Sequence, residues 1–117
     1  MAQLIIVAKL RADPGKEQEL LQLLIDAAAP THAEEGCIFY AAHVSRDDPN
    51  QFVLVEGWES QNAYDAHVST PYVAELIAGL ERVGALNRES GAYHALGLGD
   101  ARKGTLGPSA GENRLEA

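Results

Sequence analysis

Residues 51–72 read QFVLVEGWESQNAYDAHVSTPY, and the period of the pattern changes part-way along. From Gln51 to Trp58 the side chains alternate as on a strand, with Phe52, Leu54, Glu56 and Trp58 on one face and Val53 and Val55 on the other. From Ser60 the period is helical. Ser60 is placed to cap a helix carrying Ala63, Tyr64 and His67. Thr70-Pro71 then restarts the helix, as proline in a first turn does, and Val73, Leu76, Ile77 and Leu80 form its apolar stripe.

Working outward, Asp47-Asp48-Pro49-Asn50 is a turn signal that makes this strand the second arm of a hairpin with Cys37–Arg46. Before the hairpin, Gln3–Leu10 is a strand, and Asp13-Pro14-Gly15 opens a helix with Asp13 as its cap. Glu17, Leu20, Leu21, Leu24 and Ala28 give that helix its spacing, and Pro30 marks its expected end. A last strand is expected at Gly91–Leu98. The order β-α-β-β-α-β predicts a ferredoxin-like α+β fold. Residues 1–98 form the domain, and 99–117, with four glycines, one proline and no aromatic residue, read as a flexible C-terminal tail. The alternative for the tail is a segment crossing to a partner, with Leu106 and Leu115 as anchors.

The strands also predict assembly. Leu4, Ile6, Ala8 and Leu10 point one way and Ile5 and Val7 the other, so the first strand is apolar on both faces. Two helices cover only one face of a sheet. The other is expected to meet a second copy, giving a homodimer with a shared α+β barrel.

At 117 residues the chain suits a single domain, and one cysteine excludes an intramolecular disulfide. Residues 1–98 carry six Lys/Arg against fourteen Asp/Glu, which makes nucleic acid an unsuitable partner. No apolar run approaches bilayer length and no signal-peptide pattern is present, so a cytoplasmic protein with no membrane partner is expected. His32, His43, His67 and His94 lack metal-ligand spacing, and Cys37 reads as an inert thiol.

The residues that stand out chemically are Glu56, Trp58, Tyr64, His67 and Tyr72. Glu56 shares a strand face with Leu54 and Trp58, where a charge is costly unless it is answered. Tyr64 and His67, three residues apart on a helix, share a face. If that face meets the strand, an indole, a phenol and an imidazole enclose a pocket suited to a flat apolar ligand with an acidic hydrogen, such as a phenol or quinol.

Glu34-Glu35-Gly36-Cys37, Glu56-x-Trp58-Glu59-Ser60 and Ala66-His67-x-x-Thr70-Pro71-Tyr72, in that order, resemble the antibiotic biosynthesis monooxygenase family, most of all its small quinol-monooxygenase members. The likeness runs from Gln3 to Leu98. It implies a dimeric ferredoxin-like barrel and oxidation of an aromatic substrate by dioxygen without metal, haem or flavin. It also implies that Trp58 and Tyr64 line the substrate cavity and that His67 matches the histidine of the quinol-type members. An asparagine of the polyketide-oxidising members would fall at Leu54 and an arginine near Ala78, and both are missing. Haem degradation is disfavoured as well, because the positions it needs are apolar or His67 itself.

On this reading His67 is the general base, Tyr64 orients the ionised oxygen and Trp58 forms an apolar wall, with no cofactor. Glu56, Tyr72, Tyr40 and Leu54 are candidate substrate-binding residues, with Glu56 either fixing the His67 tautomer or bonding to backbone. Two alternatives remain: an isomerase of a small phosphorylated sugar or diketone, and a non-catalytic dimer that binds apolar aromatic metabolites.

Overall fold

The computed structural model describes residues 3–86 and 89–107. Strand β1 (Leu4–Arg11) leads to helix α1 (Glu17–His32), the hairpin β2 (Cys37–Val44) and β3 (Gln51–Trp58), helices α2 (Gln61–Val68) and α3 (Pro71–Arg82), and strand β4 (Glu89–His94). The strands pair antiparallel in the order β2-β3-β1-β4. This is the ferredoxin-like α+β arrangement, with the second crossover helix split in two.

The split arises where the sequence places it. Ser60 Oγ accepts the Ala63 N–H at 3.1 Å, and Thr70 Oγ1 accepts from Val73 N while donating to the His67 carbonyl at 2.8 Å. Pro71, with no N–H to satisfy, occupies the first position of α3.

Several element ends differ from expectation. Gly15 adopts φ +85°, so Asp13-Pro14-Gly15 forms a turn before the helix, and Lys16 occupies the N-cap with no side-chain cap. Asp13 serves the turn instead: its carbonyl accepts from Lys16 N and Asn50 Nδ2, and its N–H donates to Val83. Helix α1 runs through Pro30 to His32, because Ala33 N–H still reaches the Ala29 carbonyl at 3.2 Å. Strand β2 stops at Val44, where Ser45 Oγ accepts from the N–H groups of Asp47 and Asp48. Strand β4 spans Glu89–His94, opposite Lys9 to Leu4, and does not extend to Leu98.

Helices and sheet enclose Leu10, Ala12, Leu20, Leu24, Phe52, Leu80, Val83 and Ala85 at one end. At the other end Leu4, Ile6 and Trp58 pack with Cys37, Ala63 and Tyr64. The register sets Glu56 opposite Ile6 on one side and Tyr40 on the other, so the charged residue lies on the inner face between the two apolar ends.

On the opposite sheet face Ile5 is buried, Val7, Val53 and Val55 are half-buried, and Tyr93 is exposed. The segment after β4 returns to this face, where Gly104, Thr105 and Leu106 line a hollow with Ile5 and Val7. Leu115 lies outside the described residues. Among the described residues no helix is long and apolar enough to cross a membrane.

Leu20 is fully buried in the larger apolar group. Leu20→Ala is expected to cost about 3 kcal/mol of stability through lost burial and the cavity left behind. Urea unfolding followed by circular dichroism checks this, with a lower midpoint and an unchanged slope as the expected result.

Candidate active site

His67 lies in the last turn of α2 and is 4% exposed. Its Nδ1 is 2.7 Å from Glu34 Oε2, in the turn between α1 and β2. Its Nε2 is 4.0 Å from Glu56 Oε1, beyond hydrogen-bond reach. The nearer oxygen of Glu56 instead accepts the Trp58 indole N–H at 2.9 Å. The imidazole therefore sits between two carboxylates and is bonded to only the first. Glu56, expected either to fix the His67 tautomer or to bond to backbone, accepts the Trp58 indole N–H and lies 4.0 Å from Nε2, while the short contact to the ring comes from Glu34.

Aromatic rings surround the imidazole. The Trp58 indole lies 4.5 Å away, centroid to centroid, tilted by 36°. Tyr40 is at 5.9 Å, Tyr64 at 6.1 Å and Tyr72 at 6.4 Å. Trp58 is 0% exposed and is not among the residues that line the inner cavity. Its indole N–H is bonded to Glu56 and its ring packs against the His67 ring. Tyr72 is also outside the inner cavity. Its hydroxyl donates to Glu34 Oε2, the same oxygen that His67 meets.

Between the sheet and helices α2 and α3 lies a cavity of about 80 Å³. Glu56, Tyr40, Tyr64, His67 and Leu54 line it with Ile6, Ala8, Val73, Ile77 and Ser90. Five of the seven residues singled out from sequence thus converge on one hollow, and Trp58 and Tyr72 stand behind it. Among the described residues the lining holds no lysine or arginine. Among the described residues, no three His, Cys, Asp or Glu side chains converge as metal ligands.

Burial, and then the charge of Glu56, pushes the Tyr40 phenol well above its ordinary value of 10.0, so it enters the site as a neutral donor. Burial also raises the Tyr72 phenol to about 12, with the Glu34 hydrogen bond adding to the effect. Both rings keep their protons at neutral pH.

Sequence reasoning gives Glu34 and Ser90 no role. Glu34 stands within a stretch that carries the family likeness, but its contact with His67 spans 33 residues of chain and no local period reveals it. Ser90 reaches the cavity only through the pairing of β4 with β1.

The sequence model described as antibiotic biosynthesis monooxygenase matches residues 3–79. The chain belongs to the antibiotic biosynthesis monooxygenase family. The matched span holds Glu34, Glu56, Trp58, Tyr64, His67 and Tyr72, whereas β4 and the segment after it lie beyond. Among solved structures, a protein from Pseudomonas aeruginosa is similar at 28% identity and a TM-score of 0.77, covering 82% of this chain and 96% of that one. A Deinococcus radiodurans protein, provisionally described as an antibiotic biosynthesis monooxygenase, is 28% identical with a TM-score of 0.74, covering 85% of this chain and 95% of its own. A Chloroflexus aurantiacus protein with the same provisional description is 25% identical with a TM-score of 0.70, covering 86% and 100%. No curated protein matches the chain.

Cys37 adjoins the site, and burial, followed by the charges of Glu34 and Glu56, pushes its thiol from an ordinary 9.0 up to about 11. The thiolate is the reactive form, so at pH 8 its population falls about 100-fold relative to an unperturbed thiol. Iodoacetamide is expected to label the native protein about 100-fold more slowly than the urea-unfolded chain. Equal rates, read by mass spectrometry, would contradict the described environment.

Proposed function

We propose that this protein is a monooxygenase that oxidises a quinol or similar electron-rich aromatic with dioxygen, using no cofactor of its own. Membership of the family, together with the provisional descriptions of the Deinococcus and Chloroflexus proteins, supports the monooxygenase class. The observation that carries the finer reading is an imidazole bonded to a carboxylate through Nδ1 while lining an aromatic cavity.

Dioxygen in its triplet ground state reacts slowly with a neutral phenol, and an anion gives up an electron far more readily. The protein's task is then proton removal and shelter for the anion. His67 Nε2 takes a hydroxyl proton, and Tyr64 and Tyr40 supply neutral hydroxyls to the oxygen left charged. The reaction balances as quinol plus dioxygen giving a hydroxyquinone plus water. Two electrons come from the paired hydroxyls and two from the ring carbon that gains oxygen. Four are taken up by dioxygen, one atom of which leaves as water with two of the substrate's protons.

Size narrows the substrate. A dry apolar cavity of about 150 Å³ holds a benzene, so a cavity of about 80 Å³ favours small substrates. Val68 and Ile77 are the exposed apolar members of the lining. The cavity's size favours one- or two-ring quinols over larger polyketides, in keeping with leucine at position 54. The phosphorylated-sugar alternative gains no support from the described lining, which holds no lysine or arginine.

Oxygen uptake with a panel of chemically reduced quinones in chelator-treated buffer tests the proposal. Uptake above the uncatalysed rate is expected, largest for one-ring quinols, and His67→Ala should lower turnover about 100-fold. No enzyme-dependent uptake counts against the reaction, and a fully active His67→Ala removes the proposed base.

The same proposal includes a homodimer in a cytoplasmic setting, built on the sheet face where Val7, Val53, Val55 and Tyr93 lie. Light scattering after size exclusion is expected to give twice the 12.5 kDa chain mass. A monomeric mass would show that the described C-terminal segment alone covers this face.

A further inference from the structure

We propose that Glu34 and Tyr72 together form the positioning device of His67: Glu34 sets the ring's tautomer and holds the cation formed on proton uptake, and Tyr72 keeps Glu34 an anion. This rests on the reading of His67 as the base, and it assigns work to two side chains that do not touch the cavity.

The geometry begins with a single oxygen. Glu34 Oε2 lies 2.7 Å from His67 Nδ1 and also accepts the Tyr72 hydroxyl. A carboxylate can only accept, so the Nδ1 partner in this bond is N–H, and Nε2 is left with its lone pair. That bare nitrogen lies on the Glu56 side of the ring, and Glu56 and His67 both line the cavity. The alternative tautomer would aim a lone pair at a carboxylate 2.7 Å away and present N–H to a substrate hydroxyl, where a base is needed.

Charge follows the same logic. When Nε2 accepts a proton the ring becomes a cation in a nearly closed site. The groups facing it are Glu34 from the α1–β2 turn, Glu56 from β3, Tyr40 from β2, Tyr64 from α2 and Tyr72 from α3. Two are carboxylates and the phenols are neutral, so the new charge meets only negative or dipolar neighbours. Glu34 is the one in direct contact.

Tyr72 completes the arrangement. A carboxylate that shares a proton with an imidazole could take it, leaving a neutral acid and an undirected ring. A second donor on the same oxygen stabilises the anionic form and keeps the proton on Nδ1. The proton balance is therefore simple. One proton passes from the substrate hydroxyl to Nε2, Nδ1 keeps its own, and the Nε2 proton is later given to the departing oxygen. Glu34 also lines the outer groove with Glu35, Gly36 and Glu59, and its side chain is 17% exposed.

The test combines ring ¹⁵N NMR of the full chain with oxygen-uptake kinetics. In the wild-type protein the His67 ring is expected to be Nδ1–H. Glu34→Gln, whose amide oxygen can still accept, should keep that tautomer, yet lower kcat about 10-fold for want of charge while KM changes less than about 2-fold. Glu34→Ala should lose the tautomer and about 100-fold in kcat, and Glu34→Asp should recover part of the loss. Tyr72→Phe should keep the ring Nδ1–H but broaden its signal through proton sharing, with a several-fold smaller kcat. An Nε2–H ring in the wild type, or Glu34→Gln at wild-type kcat while His67→Ala is inactive, overturns the assignment. If no quinol is turned over by any form, the proposed reaction fails, but the tautomer comparison of wild type with Glu34→Ala still decides the role of Glu34. Should Glu34→Ala not fold, the isosteric Gln variant decides the assignment through the same two readouts.

Discussion

A carboxylate set into the middle of an apolar sheet face is the constraint around which this protein is arranged. Glu56 is 6% exposed, with Ile6 and Tyr40 as its strand neighbours. An unanswered charge there would cost several kcal/mol. The indole N–H of Trp58, two residues along the same face, provides the direct answer, and the His67 ring lies beyond it. Trp58 is thereby fully enclosed and becomes the plate on which the imidazole rests. Removing the acid would leave the indole N–H without that acceptor, so the elements are mutually dependent.

The break between α2 and α3 is the second constraint. A continuous helix from Gln61 to Arg82 would carry the His67 carbonyl into ordinary helical bonding. Thr70 instead turns the chain, and its hydroxyl takes up that carbonyl. The kink places His67 at a helix end, against Trp58 and within reach of Glu34. Tyr72, just inside α3, is then on the far side of Glu34. A local capping choice thus sets the geometry of a long-range polar group.

Family membership and geometry bear on different levels of the function. The fold is shared with proteins of 18–28% identity, and a shared fold carries many chemistries. Among the described residues the cavity holds two phenols and an imidazole flanked by carboxylates, with no lysine or arginine. Those residues are the ones on which the proposed proton abstraction rests.

Local pattern alone determined the element order, the β2–β3 hairpin with β3 at Gln51–Trp58, the Ser60 and Thr70 caps, and the shared face of Tyr64 and His67. These follow from periods of 2 and 3.6 residues and from short-range capping, which act within a few residues. The same pattern misplaced the start of α1, because a glycine at positive φ makes a turn where a cap was expected. Only the tertiary structure decided which carboxylate holds the imidazole. Glu56 is nearer in sequence, yet its oxygen is taken by Trp58, and the bond goes to Glu34, brought in by the packing of α1 and β2. Hydrogen-bond partners across 33 residues depend on register and helix placement together, and no linear spacing encodes either.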